Sequence, residues 1–453
     1  MNRELEHATS TTNACKLCKP MGACLAFRGI EGAVPFLHGS QGCATYMRRY
    51  IISHFNEPMD IASSSLGEKH AIYGGGPNFR LGVKNVTEKY RPSLIGVATT
   101  CLTETIGDDV AGFVGEIRKK AGRVDGGPSI VHVLTPSYGG THMEGFHAAV
   151  RATVEQLAEG GERGDRINML PGFVSPADIR YLKEVLADFG AEATILPDLS
   201  DTLDGPALRE YRKLPAGGTS IREIRSMGGS RATIEFGRTL EAHRTAGAFL
   251  AERFQVPNHR IGLPVGIRET DRFFAVIEDL SGRPTPERHA AERGRLVDSL
   301  VDGHKYIFGL RAVVYGEEDL VAGIVSSLAE FGVRPVLCAS GGESGLLAGA
   351  VHALTEGLVD EPPIVRQGAD FFDIGEEAED LSPDIIIGHS KGYHLARRLG
   401  IPLLRVGFPI HDRIGGQRIV HLGYRGAQWL FDSLVNTVIA GRQASSPVGY
   451  GYY

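Results

Sequence analysis

The chain has 453 residues, 42% hydrophobic and 23% charged, too long for one compact domain of ordinary size. A chain of this length buries about three quarters of its unfolded surface and needs no crosslink or metal to stay folded. Its net charge of -6, from 48 basic and 54 acidic residues well mixed, gives no electrostatic reason for a nucleic-acid partner.

The opening MNRELEHATSTTNACKL has no apolar signal core, and no apolar run approaches the roughly 20 residues of a membrane span. The expectation is a cytoplasmic protein without membrane contact, where thiols stay reduced. Its six cysteines therefore need a reason other than disulfides. Glycine is also in excess, with 59 residues against a usual share of roughly 7%. That excess points to many tight strand-to-helix turns, or to backbone packed against something bulky.

Residues 1–30 form an N-terminal segment with a CxxC at Cys15 and Cys18. In 31–164, the runs Ala33 to Leu37, Ser93 to Ala98 and Ser129 to Leu134 read as buried strands, with an amphipathic helix from Thr105 to Ala121 after the second. In 165–302, Ile167 to Leu170 is a strand, Pro176 to Phe189 a helix closed by Gly190, and Ala193 to Leu196 the next strand. The polar, charge-rich stretch Ser281 to Arg295 separates this block from the third, 303–445, and includes a surface helix. There, strands at Arg311 to Tyr315, Pro335 to Cys338, Asp384 to Ile387 and Pro402 to Val406 accompany a helix from Glu318 to Phe331, before a tail at 446–453. The predicted fold class is α/β: three doubly wound, Rossmann-like domains with parallel sheets.

Cys43 ends the turn HGSQGC after the first strand, and Cys101 ends ATTC after the second. Open parallel sheets bind ligands at the carboxyl ends of their strands, so these two thiols should converge. Ser137, in LTPSYGG, holds the same place after the third strand. Each thiol precedes a helix whose dipole favours the thiolate. Cys15 and Cys18 could be a redox pair or half a zinc site, but no second CxxC or paired histidines follow. Converging soft ligands without paired histidines suit an iron–sulfur cluster better than a single metal ion. Cys338, within PVLCAS, and Cys24 read as small buried hydrophobes.

CKPMGA at Cys18, HGSQGC at Cys43 and TTCLTETIGDD around Cys101, with HFNEP, TPSYGG, PLLRVGFPIHDRIGG and GYRGA, resemble the β-type subunits of nitrogenase component 1 and their relatives. The resemblance covers nearly the whole chain. It implies a homologous α-type partner, usually in an α2β2 assembly, and half of an interface iron–sulfur cluster, either an [8Fe-7S] P-cluster-like group or [4Fe-4S]. Cys18, Cys43 and Cys101 are the implied ligands, with Ser137 an auxiliary oxygen ligand or neighbour.

The α-type positions that would hold an active-site cofactor match IEFGRTLEAHRTAGAFLAERF and LLRVGFPIHD here. Neither contains a cysteine, and Gly407, Phe408 and Pro409 replace the α-type histidine. The resemblance therefore implies that this chain does not bind that cofactor through its own side chains. No GxxxxGK[ST] occurs, and Gly74 to Gly76 do not make a phosphate loop. ATP hydrolysis thus falls to a partner, by resemblance an iron protein that delivers electrons.

Cys15 resembles the CKLC start of cofactor-assembly scaffold subunits of the NifN type. The leading expectation is a scaffold for iron–molybdenum cofactor biosynthesis. The alternatives are the β subunit of a catalytic reductase, of the methylthio-alkane reductase type or nitrogenase itself, a dark-operative chlorophyll-type reductase, and a cluster-free structural homologue. His38 is either a donor to cluster sulfur or a histidine satisfied locally. His54, Glu57 and Asp60 read as structural rather than acid/base groups, and Arg48 and Arg49 either offset cluster charge or are solvated.

Overall fold

Parallel strands need a crossover connection between them, usually a helix, and each apolar run here is followed by one. The computed structural model describes residues 15–121, 127–210 and 212–448. Residues 1–14 of the N-terminal segment and 449–453 of the tail lie outside the described residues. Three all-parallel sheets result.

The first contains β1 (Ala33–His38), β2 (Ala62–Ser63), β3 (Leu94–Thr99) and β4 (Ser129–Val133) in the order β2-β1-β3-β4. The second contains β5 (Ile167–Leu170), β6 (Ala193–Ile195), β7 (Ala232–Phe236) and β8 (Asn258–Ile261) in the order β6-β5-β7-β8. The third contains β9 (Arg311–Tyr315), β10 (Arg334–Ala339), β11 (Ile364–Arg366), β12 (Ile385–Gly388) and β13 (Leu403–Arg405) in the order β11-β10-β9-β12-β13. β1 and β3 are buried along their whole length, which is why each reads as an apolar run rather than an alternating one.

The first sheet is covered by α1 (Lys19–Arg28), α2 (Gln41–Phe55), α3 (His70–Tyr73), α4 (Gly76–Tyr90), α5 (Cys101–Ile106), α6 (Val110–Ala121) and α7 (His142–Leu157). The single helix expected from Thr105 to Ala121 is two helices. Gly107 turns left-handed at φ 74° and ends α5, and Asp109 accepts the Gly112 N–H at 2.9 Å to start α6. The start of α5 thereby moves back to Cys101. The surface helix expected within Ser281 to Arg295 runs from Glu287 to Ile307.

α1 is buried from Pro20 to Arg28 and crosses α7 with no side chain between the two backbones. A Cβ on Gly22 would lie 1.7 Å from the His142 carbonyl oxygen, and one on Gly145 would lie 1.8 Å from that of Lys19. These glycines serve backbone-to-backbone approach, which fixes the start of α1 against the start of α7.

One apolar core runs through all three sheets, with Leu37, Ile234 and Val314 in the same cluster. At its junction the Phe408 ring lies 5.8 Å from Phe55, 5.4 Å from Phe173 and 5.9 Å from His142. His54 is buried there, its Nδ1 accepting the Ile410 N–H at 2.9 Å. Burial pushes its pKa from 6.5 down to about 3, and nearby His421 and His411 add to that, so the ring is neutral. The unfolded chain takes up this proton below about pH 6.5 and the folded chain refuses it, so stability is lost as pH falls from 6.5 toward 3. His54→Gln should flatten the fall of Tm with acidification in that window, by up to about 1.4 kcal/mol per pH unit. An unchanged slope in thermal melts would contradict a buried neutral ring.

Candidate functional site

Because β1, β3 and β4 are neighbours in the first sheet, the turns after them sit side by side at one edge. Cys43 lies in the first turn of α2, where the Ser40 hydroxyl donates to its sulfur at 3.5 Å. Cys101 is the first residue of α5, exposed, and its sulfur accepts the Ser137 N–H at 3.2 Å. Cys18 caps α1 in extended conformation and forms a bridge with Thr141, at the start of α7. The close α1–α7 crossing thus carries Cys18 to the same edge. Burial pushes the Cys18 thiol up, the neighbouring Cys101 and Cys43 sulfurs add to this, and a hydrogen bond with the Ser137 side chain pulls it back down. The four residues singled out in the sequence therefore gather on one edge.

The turns are stitched together beneath them. The His38 carbonyl accepts from the hydroxyls of Thr100 at 3.1 Å and Thr103 at 3.0 Å. Thr135 donates to Thr99 from its backbone N–H at 2.8 Å and from its hydroxyl at 2.7 Å. Gly39 is pressed so close to Thr100 that a Cβ there would lie 2.2 Å from the threonine hydroxyl. Gly42, beside Cys43, faces nothing nearer than the Ser40 hydroxyl at 3.8 Å. The tight glycines next to the thiols hold protein against protein.

The remaining cysteines lie elsewhere. Cys24 and Cys338 are buried in the main apolar core, and burial pushes both thiols up. Cys15 is packed against the third sheet, its sulfur 3.9 Å from His389 Nε2. Burial, assisted by Glu317, pushes its thiol up to about 12. Among the described residues no three His, Cys, Asp or Glu side chains are arranged to hold a single metal ion.

His38 is locally satisfied, with Nδ1 2.9 Å from the Ser64 hydroxyl and Nε2 2.9 Å from Asp108. Glu57 accepts the Gly205 N–H at 3.1 Å, and Asp60 accepts the Tyr90 hydroxyl at 3.0 Å and lies 3.7 Å from Arg48. Arg49 is exposed. Lys391 is a residue that no pattern in the sequence singles out. Its ammonium donates to the Lys16 carbonyl at 3.4 Å, lies 5.8 Å from the Tyr50 ring centre, and places positive charge near Cys15 and Cys18. It lies 375 residues from Lys16 in the chain, so no local motif announces it.

Exposed apolar side chains flank the thiols: Tyr46 on α2, Leu134 after β4, and Tyr138, 70% exposed, beside Ser137. Ile72 and Tyr73 on α3 are 79% and 83% exposed. In contrast, a cavity lined by Cys15, His142, His147, Glu317 and Asp319 has only about 30 Å³ of free volume, room for about one water. No helix among the described residues is long and apolar enough to cross a membrane.

Residues 18–439 match the family model for nitrogenase component 1 type oxidoreductase. The chain belongs to the nitrogenase component 1 family. It is similar to the nitrogenase molybdenum-iron protein beta chain of Clostridium pasteurianum, at 33% identity over 96% of this chain and 94% of that one. It is 37% identical to the corresponding chain of Methanothermobacter marburgensis, over 94% of each. The nitrogenase vanadium-iron protein beta chain of Trichormus variabilis is 36% identical over 93% of each. In three dimensions, a chain of nitrogenase Cp1 at pH 6.5 matches with a TM-score of 0.94 and 32% identity, covering 100% of this chain and 98% of that one. The expected fold and the expected membership, as a β-type component 1 subunit, both hold.

Proposed function

We propose that Cys18, Cys43 and Cys101 ligate an iron–sulfur cluster shared with an α-type partner chain, with Ser137 as auxiliary oxygen ligand or neighbour. The observation that carries this reading is the gathering of three thiols, one exposed and two half-buried, at one sheet edge. The donor set fits: it is soft and can be deprotonated, and no single-ion cage competes with it among the described residues. When bound, the cluster supplies one-electron transfer. The chain's own part is to orient the thiolates from fixed turns and, through Ser137, to ease proton loss from Cys18. Tyr46, Leu134 and Tyr138 form an apolar rim for a partner that closes the site. The cluster is of [8Fe-7S] or [4Fe-4S] type according to the partner's thiolates, in an α2β2 assembly within the cytoplasm. Residues 31–164, 165–302 and 303–445 are the domains of this subunit.

The subunit relays electrons from an ATP-dependent iron protein to a metallocluster held by the α-type chain. The cavity beside Cys15 and His142 is too small for a metallocluster, in keeping with leaving that group to the partner. The exposed Ile72–Tyr73 pair, close in the fold to the Cys101 helix, suits donor docking. Tyr73→Ser should slow donor-driven reduction about tenfold through loss of an aromatic anchor, with iron content unchanged. An unchanged rate would remove this surface from the docking site.

The β subunit of a working reductase is the reading favoured here, since the similar chains named above belong to molybdenum-iron and vanadium-iron nitrogenases. The CKLC opening favours a second reading, the cofactor-assembly scaffold, although Cys15 is packed away from the other thiols. Mixing the anaerobic complex with cofactor-free nitrogenase separates the two. A scaffold passes its metallocluster to the acceptor and activates it, whereas a reductase keeps its own and turns over.

A further inference from the structure

His38 closes β1 just before the Cys43 turn and is wholly buried. Burial, only partly offset by Asp108, lowers its pKa and leaves the ring neutral. Nε2–H therefore donates to the Asp108 carboxylate, and Nδ1 accepts the Ser64 hydroxyl, each at 2.9 Å. The Ser64 oxygen in turn accepts the Gly39 N–H at 2.9 Å, on the turn that leads to Cys43.

Asp108 follows the short helix that begins with Cys101. Its two oxygens also accept the Gly75 N–H, each at 3.0 Å. Gly75 lies just beyond the exposed Ile72–Tyr73 pair and cannot carry a side chain in place. A Cβ there would lie 2.5 Å from the Asp108 carboxylate and 2.8 Å from the His38 ring. One carboxylate thus joins three segments: the Cys43 turn, the end of the Cys101 helix and the glycine turn that directly follows the exposed Ile72–Tyr73 end of α3.

We propose that Asp108, held by His38, is a positioning residue that clamps the Ile72–Tyr73 turn to the helix carrying Cys101, so that contact on the exposed turn bears directly on that cysteine. This role rests on reading Cys101 as a cluster ligand and the Ile72–Tyr73 turn as the donor-docking surface. A carboxylate that merely stabilised the fold would affect every route of reduction alike. A clamp acts only on the route that enters through the turn.

The test uses the full complex with its α-type partner, carrying Asp108→Ala or the isosteric Asp108→Asn. Hydrogen exchange at the Gly75 amide should quicken about tenfold in Asp108→Ala, as expected for loss of a charge-assisted hydrogen bond. Reduction of the cluster by the iron protein with MgATP should slow about tenfold, in the range for loss of a supporting partner, while reduction by dithionite and iron content stay at wild-type levels. Asp108→Asn should recover part of the donor-driven rate. Unchanged exchange at Gly75, iron loss in Asp108→Asn, or equal slowing with both reductants would overturn the clamp. A wild-type complex without iron would instead defeat the cluster reading, while the exchange measurement still decides whether Asp108 holds the turn.

Discussion

Cys43→Ala should lose the bound iron of the complex while the subunit still folds and still finds its partner. Loss of a residue that only supports a metal ligand costs about 10- to 100-fold in affinity, so removing a thiolate ligand costs at least that. Cys43 is half-buried in the first turn of α2, where the Ser40 hydroxyl donates to its sulfur, and its truncation removes little packing. Cys101→Ala should behave the same way, because Cys101 is exposed. Cys24→Ala is the control: its sulfur is buried in α1, so iron is retained and the variant loses only packing. Iron analysis and electron paramagnetic resonance of anaerobically purified variants read this pattern. Full iron in Cys43→Ala would remove it from the ligand set.

Gly22→Ala should be among the most destabilising single substitutions in the chain. The new methyl group would lie 1.7 Å from the His142 carbonyl oxygen, and backbone cannot rotate away as a side chain can. Overpacking of a well-filled site costs about 1–3 kcal/mol and sometimes more, and a backbone-to-backbone clash belongs at the upper end. Gly145→Ala meets the opposite wall of the same crossing, 1.8 Å from the Lys19 oxygen. The double variant should therefore cost less than the sum of the two, since the first displacement already opens the space. Both variants also move Cys18, which caps α1, so iron content should fall together with Tm. Wild-type Tm in either variant would mean that the helices separate at no cost.

The thiol edge is legible in the sequence because its logic is local. Each of Cys43, Cys101 and Ser137 follows a short apolar run, and parallel pairing brings the ends of such runs together. The fold class is legible for the same reason. β7 is harder to read because its ATIEF carries Glu235, a carboxylate that looks solvent-facing until Thr245, Gly247 and Asn258 are seen to satisfy it in the interior. β2 has two residues, and β8, NHRI, is only half-buried, so neither shows an apolar run.

The break at Gly107 escapes a reading by helical period because Asp108 bonds to His38, 70 positions away, and to the backbone of Gly75. The role of glycine beside Cys18 is equally non-local. Gly22 is small for the sake of α7, a helix that begins at His142. Lys391 belongs with these, since its place beside the thiols is set by how the third sheet packs on the first.

The most direct test is the iron count of the wild-type subunit, purified without oxygen together with its α-type partner and examined by electron paramagnetic resonance under reduction and oxidation. A shared cluster predicts at least about four iron atoms per pair of chains beyond those of the partner's own metallocluster, with a signal that appears and disappears reversibly. A complex that assembles fully but carries no iron attributable to Cys18, Cys43 and Cys101 would contradict it.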